Sequence, residues 1–174
     1  MGLYSGGTLC AEAQAILRSA GLALSSNAPI PGAVSLAPRG ESGPLPSGHV
    51  LLDLGADEYT AGRPHPMIEP AMRSGALAGT LADPSVAVVV LDIVLGTGSH
   101  PDPAAPVTRA LDAAPSHRPA VVASVCGTEL DPQDYGAQRR TLERAGVFVA
   151  ESNADAVEAA SRIAAPELEE ERRR

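Results

Sequence analysis

The sequence predicts an α/β domain whose parallel sheet is covered on both faces by helices. Three observations carry that expectation. From Val86 onward, apolar runs alternate with helix-periodic stretches over short connections, in the order β-α-β-α-β-α. The run Val86–Val94 is apolar throughout except for Asp92, the composition of a central strand buried on both sides. Aromatic residues make up only 2% of the chain, with Phe148 the single Phe and no Trp. The core must therefore be built from Ala, Val, Leu and Ile, which suits close packing of helices on a sheet better than a β-sandwich.

Taken in order, Met1–Gly7 reads as a turn-like stretch, with Thr8 as the N-cap of the helix that follows. Leu9, Ala13, Ile16, Leu17 and Ala20 recur at helical spacing on that helix, and Gly21 is its stop. Leu22–Ser26 is a candidate strand. Residues 27–48, rich in Pro, Gly and Ser, read as a long mobile loop. His49–Leu54 is a short strand, followed by a polar loop and a helix over Pro66–Leu81 that Asp83-Pro84 breaks. After Val86–Val94 comes the turn Gly96–Pro103, then a helix over Ala104–Ala114, a strand over Pro119–Val125 and a helix over Pro132–Ala145 with Gly146 as its stop. Val147–Ala150 and Asn153–Ala164 complete the series as strand and helix. Right-handed crossovers turn this order into a parallel sheet of four or five strands, with Val86–Val94 central and Val147–Ala150 near an edge. The domain spans residues 1–165, and residues 166–174 form a charged tail.

The 174 residues suffice for one domain with its own core. Net charge is −8 and all 13 basic residues are Arg, so neither a Schiff-base lysine nor a P-loop lysine is available. An acidic chain without a basic stripe argues against nucleic acid as a partner. No apolar run approaches the roughly 20 residues of a membrane span, and no signal peptide is visible. The two cysteines, Cys10 and Cys126, have no metal-ligand spacing, so no metal site is expected, and a reducing, cytoplasmic setting fits.

In a parallel sheet ligands sit at the carboxyl ends of the strands, where several polar turns here converge. Ser5-Gly6-Gly7-Thr8 precedes a helix, and its free amides could hold an anion, or the stretch could be an ordinary capped terminus. Gly62-Arg63-Pro64-His65-Pro66 is a proline-stiffened loop in which Arg63 could clamp a carboxylate or phosphate and His65 carry a proton, or it is simply solvated. In the turn containing Gly98, His100 is a second candidate proton carrier, while Asp102 could merely cap the next helix. Cys126-Gly127-Thr128-Glu129 ends a strand: a buried structural thiol is the default for Cys126, and Thr128 is better placed to touch a ligand. Asp92, inside an apolar strand, needs a partner or a position near the end of the sheet.

Four segments together resemble the FdrA-like family: Gly2–Cys10 with Glu12-Ala13, Asp53–Thr60 through Gly62–Ile68, Leu91–Gly96 with Gly98 and His100–Ala104, and Ala123–Glu129. FdrA-like proteins are similar to the succinyl-CoA synthetase α subunit, within the NDP-forming acyl-CoA synthetase superfamily. The resemblance implies a flavodoxin-like three-layer sandwich of the C-terminal CoA-ligase type, with the N-terminal CoA-binding Rossmann domain absent. It implies a helix N-terminus at Ser5–Thr8 that helps hold phosphate, with Arg63, Gly98, Cys126, Gly127 and Thr128 around the anion and His65 and His100 as catalytic groups. The synthetase α subunit carries a phosphorylated histidine after the strand matching Pro119–Val125, whereas Thr128–Ala137 contains no His. The family's link to allantoin catabolism implies another reaction, in which oxalurate and phosphate give oxamate and carbamoyl phosphate. The implied ligand is phosphate or carbamoyl phosphate, with no cofactor in this chain and CoA or nucleotide only if a partner supplies the missing domain. The implied partners are other subunits of an FdrA-like complex, including a separate N-terminal half. An NDP-forming acyl-CoA ligase subunit and a non-catalytic truncated domain remain as alternatives. Ser5–Thr8, Arg63, His65, His100 and Thr128 are expected to converge on one cleft at the carboxyl edge of the sheet.

Overall fold

The structure, a computed structural model, describes residues 1–36 and 47–166. The chain runs β1 (Gly2–Tyr4), α1 (Gly7–Ser19), β2 (Leu24–Ser26), β3 (Val34–Ser35), β4 (His49–Asp53), α2 (Asp57–Thr60), α3 (Ala71–Leu81), β5 (Val88–Val94), α4 (Ala104–Asp112), β6 (Ala120–Cys126), α5 (Tyr135–Arg144), β7 (Phe148–Ala150) and α6 (Asn153–Ala164). All the strand pairings are parallel, in the order β3-β2-β4-β1-β5-β6-β7. This is the α/β, flavodoxin-like architecture that the sequence predicts. Helices α1 and α6 pack together on one face, while α3, α4 and α5 form a layer on the other.

The sheet has seven strands rather than four or five. The largest difference is β1, which lies within the stretch that reads as a turn yet sits between β4 and β5. Three residues are too few to show a period of their own, and the ladder to two neighbours is what makes them a strand. β5 is interior and β7 lies at an edge, as expected. β3 falls inside the expected loop 27–48, and the residues leading to it are tied down. The Gln14 side chain donates to the Ala28 carbonyl at 3.0 Å and accepts the Ile30 amide at 3.1 Å, and the Leu36 amide donates to the Ser26 carbonyl at 2.9 Å. Residues 37–46 of that loop and 167–174 of the expected tail lie outside the described residues.

Three helix starts also differ, that of α5 moving from the expected Pro132 to Tyr135, where the Asp134 side chain accepts the Ala137 amide. α1 begins at Gly7 with extended Gly6 before it, so Thr8 lies in the first turn and its side chain caps nothing. α3 begins at Ala71, because prolines at 64, 66 and 70 lack amide donors and disfavour helical geometry at the residue before them. The Gly21 and Gly146 stops hold: both adopt left-handed φ, and the Leu22 and Val147 amides close the helix ends on the Leu17 and Leu142 carbonyls.

Strand alternation decides which side chain faces which layer. On β5, Val89, Leu91 and Ile93 enter the core under α3, α4 and α5, whereas Val88 and Val90 enter the core under α1 and α6. Asp92 follows Val88 and Val90 in this alternation. On β4, Leu52 and Leu54 take the first side and Leu51 the second, so Asp53 also faces the α1 layer. β1 lies between these strands, with Tyr4 beside Asp53. The first turn of α1, leaving β1, therefore sits over two carboxylates.

If β1 is an interior strand, the Leu3 and Tyr4 amides will exchange with solvent as slowly as those of β5. Amide exchange followed by NMR reads this directly, and exchange at the rate of a fraying terminus would remove β1 from the sheet.

Candidate functional site

The site is built outward from Asp92, which is 0% exposed. Its Oδ1 accepts the Ser5 amide at 2.7 Å and its Oδ2 accepts the Gly6 amide at 2.8 Å. The Ser5 hydroxyl lies 3.1 and 3.0 Å from the two oxygens. From the opposite layer, Nη1 of Arg73 reaches the Asp92 carbonyl at 2.5 Å, the Ser5 hydroxyl at 3.2 Å and Asp92 Oδ1 at 3.4 Å. Arg73 is itself 4% exposed, and burial holds its guanidinium below its usual pKa while Asp92 pulls it back up. No side chain supplies the cap expected of Thr8; Asp92 accepts instead the Ser5 and Gly6 amides just ahead of the helix, and a negative group near that end is favoured by the helix dipole. Ser5, buried to 1%, and the Gly6 amide are engaged by this internal carboxylate; the exposed positions of the turn are Gly7 and Thr8.

On the other side of β1, Asp53 is 8% exposed. Its Oδ1 accepts the Gly55 amide at 2.9 Å, and a Cβ placed on Gly7 would lie 2.7 Å from its Oδ2. Asn27 clamps the Asp53 main chain, donating to its carbonyl at 2.9 Å and accepting its amide at 2.8 Å. His65 packs over Gly55, where a Cβ would meet His65 Nε2 at 2.5 Å and the Ser5 carbonyl at 2.7 Å. Only glycine leaves room there for the imidazole. Nδ1 of His65 accepts the Met67 amide at 3.2 Å, so the neutral ring carries its proton on Nε2.

The structure thus gathers Gly7, Asp53 and His65 around the end of β1, where the strand order reverses direction, the usual place for a ligand in such sheets. His100 joins through the backbone: its amide donates to the Met67 carbonyl at 2.7 Å, tying the Gly96–Pro103 turn to the His65 loop. Nδ1 of His100 accepts the Asp102 amide at 3.1 Å, and Asp102 Oδ1 accepts the Ala105 amide at 3.3 Å, the capping contact that the sequence allows. Arg63 and Gly98 are exposed in turns with left-handed glycines, Gly62 and Gly98. Cys126 ends β6 and Gly127 and Thr128 follow it, two strands from β1 and so about 10 Å across the sheet. There the Thr128 amide and hydroxyl are turned onto Asp131 at 2.6 and 3.3 Å. Cys126 is exposed, contrary to its reading as a buried structural thiol, because it is the last residue of β6 and α5 starts only at Tyr135.

Sequence reasoning missed Asp53, Gly55, Asn27, Arg73 and Gln133 as site residues. Asp53 carried one legible signal, a polar residue on the α1-facing side at a strand end, like Asp92. Arg73 and Gln133 carried none, since an arginine and a glutamine on expected helices are ordinary surface residues. Gln133 staples two turns together, accepting the Gly96 amide at 3.1 Å and donating to the Gly96 carbonyl at 2.8 Å. Among the described residues no cluster of three or more His, Cys, Asp and Glu is placed to hold a metal, and no helix is long and apolar enough to cross a membrane.

The CoA-ligase family profile matches residues 3–163, nearly the whole chain and all of the elements that frame this site. The chain belongs to the CoA-ligase family. It is also 38% identical over 159 residues to the Escherichia coli (strain K12) protein designated "Uncharacterized protein YahF", a match covering 87% of this chain. That match covers 30% of YahF, so the CoA-ligase domain seen here spans under a third of the length of its relative.

Two predictions follow from the chemistry of this CoA-ligase domain. Replacing Arg73 by Ala leaves Asp92 buried without its cationic partner and should lower stability by about 3–5 kcal/mol in urea unfolding. A loss below about 1 kcal/mol, the size of an exposed pair, would mean that the Ser5 and Gly6 amides balance Asp92 unaided. Burial, with the Asp53 carboxylate adding, pushes the Cys10 thiol up to about 12, while Cys126 is exposed. Ellman's reagent should therefore count one thiol in the native protein and two after denaturation, and Cys126→Ser should abolish the native signal.

Proposed function

We propose that the chain holds small oxyanions at the carboxyl end of β1, as one subunit of an FdrA-like assembly in the acyl-CoA synthetase superfamily. The reaction proposed is carbamoyl transfer, in which oxalurate and phosphate give oxamate and carbamoyl phosphate. The observation that carries the reading is the first turn of α1. Gly7 and Thr8 are exposed there, the amides of a first helical turn have no partner within the helix, and His65 presents an Nε2 proton nearby. Backbone amides and a neutral imidazole donate to charge developing on a carbonyl or phosphoryl oxygen without needing a covalent intermediate. Thr128–Ala137 contains no histidine, which favours this chemistry over a phosphohistidine relay at that position. His100 is proposed as the second proton carrier, with Arg63 at the rim as an anion clamp and Gly98, Cys126, Gly127 and Thr128 bordering the substrate further along the edge. The greater length of YahF supports the further proposal that other domains complete the site.

The alternative is an NDP-forming acyl-CoA ligase subunit, which the family match itself favours. Thermal unfolding with phosphate, carbamoyl phosphate, oxamate, CoA and ATP separates the two. An anion at a hundred times its Kd should raise Tm by roughly 5–10 °C. Stabilisation by CoA or ATP but by none of the small anions would replace the first reading with the second, and no response to any of the five would leave a non-catalytic domain.

A further inference from the structure

Two carboxylates flank β1 beneath the N-terminus of α1, and they are unequally satisfied. Asp92 takes two amides, a hydroxyl and a guanidinium. Asp53, more than nine-tenths buried, takes one amide on Oδ1. Among the described residues its Oδ2 accepts no hydrogen bond, and it is turned toward Gly7, where a Cβ would come within 2.7 Å. We propose that Asp53 is a proton-carrying ligand contact, whose acid form donates a hydrogen bond from Oδ2 to a small oxyanion seated on the Gly7 and Thr8 amides. This rests on the oxyanion reading and adds to it the group that admits the anion.

The argument is electrostatic. A carboxylate and an oxyanion cannot both sit against one helix end without strong repulsion, and protonation turns the carboxyl from a competitor into a donor. The charged and titratable groups facing Asp53 come from every element packed around it. Asp92 on β5 and Glu58 on α2 disfavour a second negative charge, while His65 favours it; the Cys10 thiol on α1, pushed up to about 12, faces Asp53 as a neutral group. Arg73 on α3 is engaged by Asp92. Burial is the largest influence and raises the Asp53 carboxyl above its usual 3.8; the Gly55 amide opposes, Asp92 adds, His65 opposes and Glu58 adds. The sign follows from linkage. The folded state binds this proton more tightly than the unfolded chain, so stability falls as pH rises from 3.8 through the folded value. An oxyanion that needs the acid form must draw one proton from solvent when it binds above that value.

The test is calorimetric titration of the full chain with sodium sulfate, which keeps its charge across the range, over a pH series and in buffers of different ionisation enthalpy. The expected result is a sulfate affinity that weakens tenfold per pH unit above the folded pKa, with one proton taken up per sulfate. In Asp53→Asn, whose amide donates at every pH, the dependence should vanish and affinity at neutral pH should exceed that of the unsubstituted protein. A pH profile that persists in Asp53→Asn assigns the proton to another group, His65 included, and overturns the proposal while sparing the oxyanion reading. If neither protein binds sulfate at any pH, the oxyanion reading itself fails and the proposal with it. Should Asp53→Asn not fold, the buffer dependence of the heat in the unsubstituted protein decides alone: no proton uptake overturns the proposal.

Discussion

A carboxylate buried as completely as that of Asp92 costs several kcal/mol of desolvation unless donors replace the lost water. The surroundings of this residue are arranged as such donors. The Ser5 and Gly6 amides leave β1 pointing at it, the Ser5 hydroxyl spans its two oxygens, and Arg73 crosses from the other layer. One side chain thereby joins β1, α1, α3 and β5, and so binds both helical layers to the middle of the sheet. It also holds the entry to α1, since the Ser5 and Gly6 amides just ahead of the helix find their acceptor there.

That arrangement shapes what the site can bind. A helix N-terminus is commonly an anion site, but here part of its hydrogen-bonding capacity is engaged internally. What remains is the solvent-facing half of the turn, at Gly7 and Thr8, with Asp53 on one flank and His65 above Gly55. Both glycines are used for close approach. At Gly7 the missing Cβ admits the Asp53 carboxylate, and at Gly55 it admits the imidazole against the Ser5 carbonyl. The His65 loop is in turn held by the His100 amide on Met67, and the turn carrying His100 is stapled by Gln133. The His65 and His100 side chains therefore rest on loops held by hydrogen bonds, which limits the ordering cost of any binding there.

The long elements were legible because they repeat a pattern. β5, β6, α4, α5 and α6 each carry enough residues for their periodicity to be seen, and α6 was read at its full span from Asn153 to Ala164. β1 and β3 were not, since three and two residues carry no period and become strands through their neighbours. Within the candidate site, the glycine-rich turn before α1 and the two histidine loops stood out by composition. Asp53 and Arg73 did not, because nothing local to either reveals the partner that it meets across the fold.

By itself, then, the sequence determined the α/β class, the order of the principal elements and the placing of the polar turns at the carboxyl edge. Those properties are set by local periodicity and by the handedness of parallel crossovers. Only the tertiary structure decided that Asp92 would take the Ser5 and Gly6 amides while Asp53 Oδ2, without a hydrogen bond among the described residues, faces Gly7. Hydrogen bonds to a buried charge are satisfied by whichever groups packing brings within reach, and that reach is a property of three dimensions rather than of spacing along the chain.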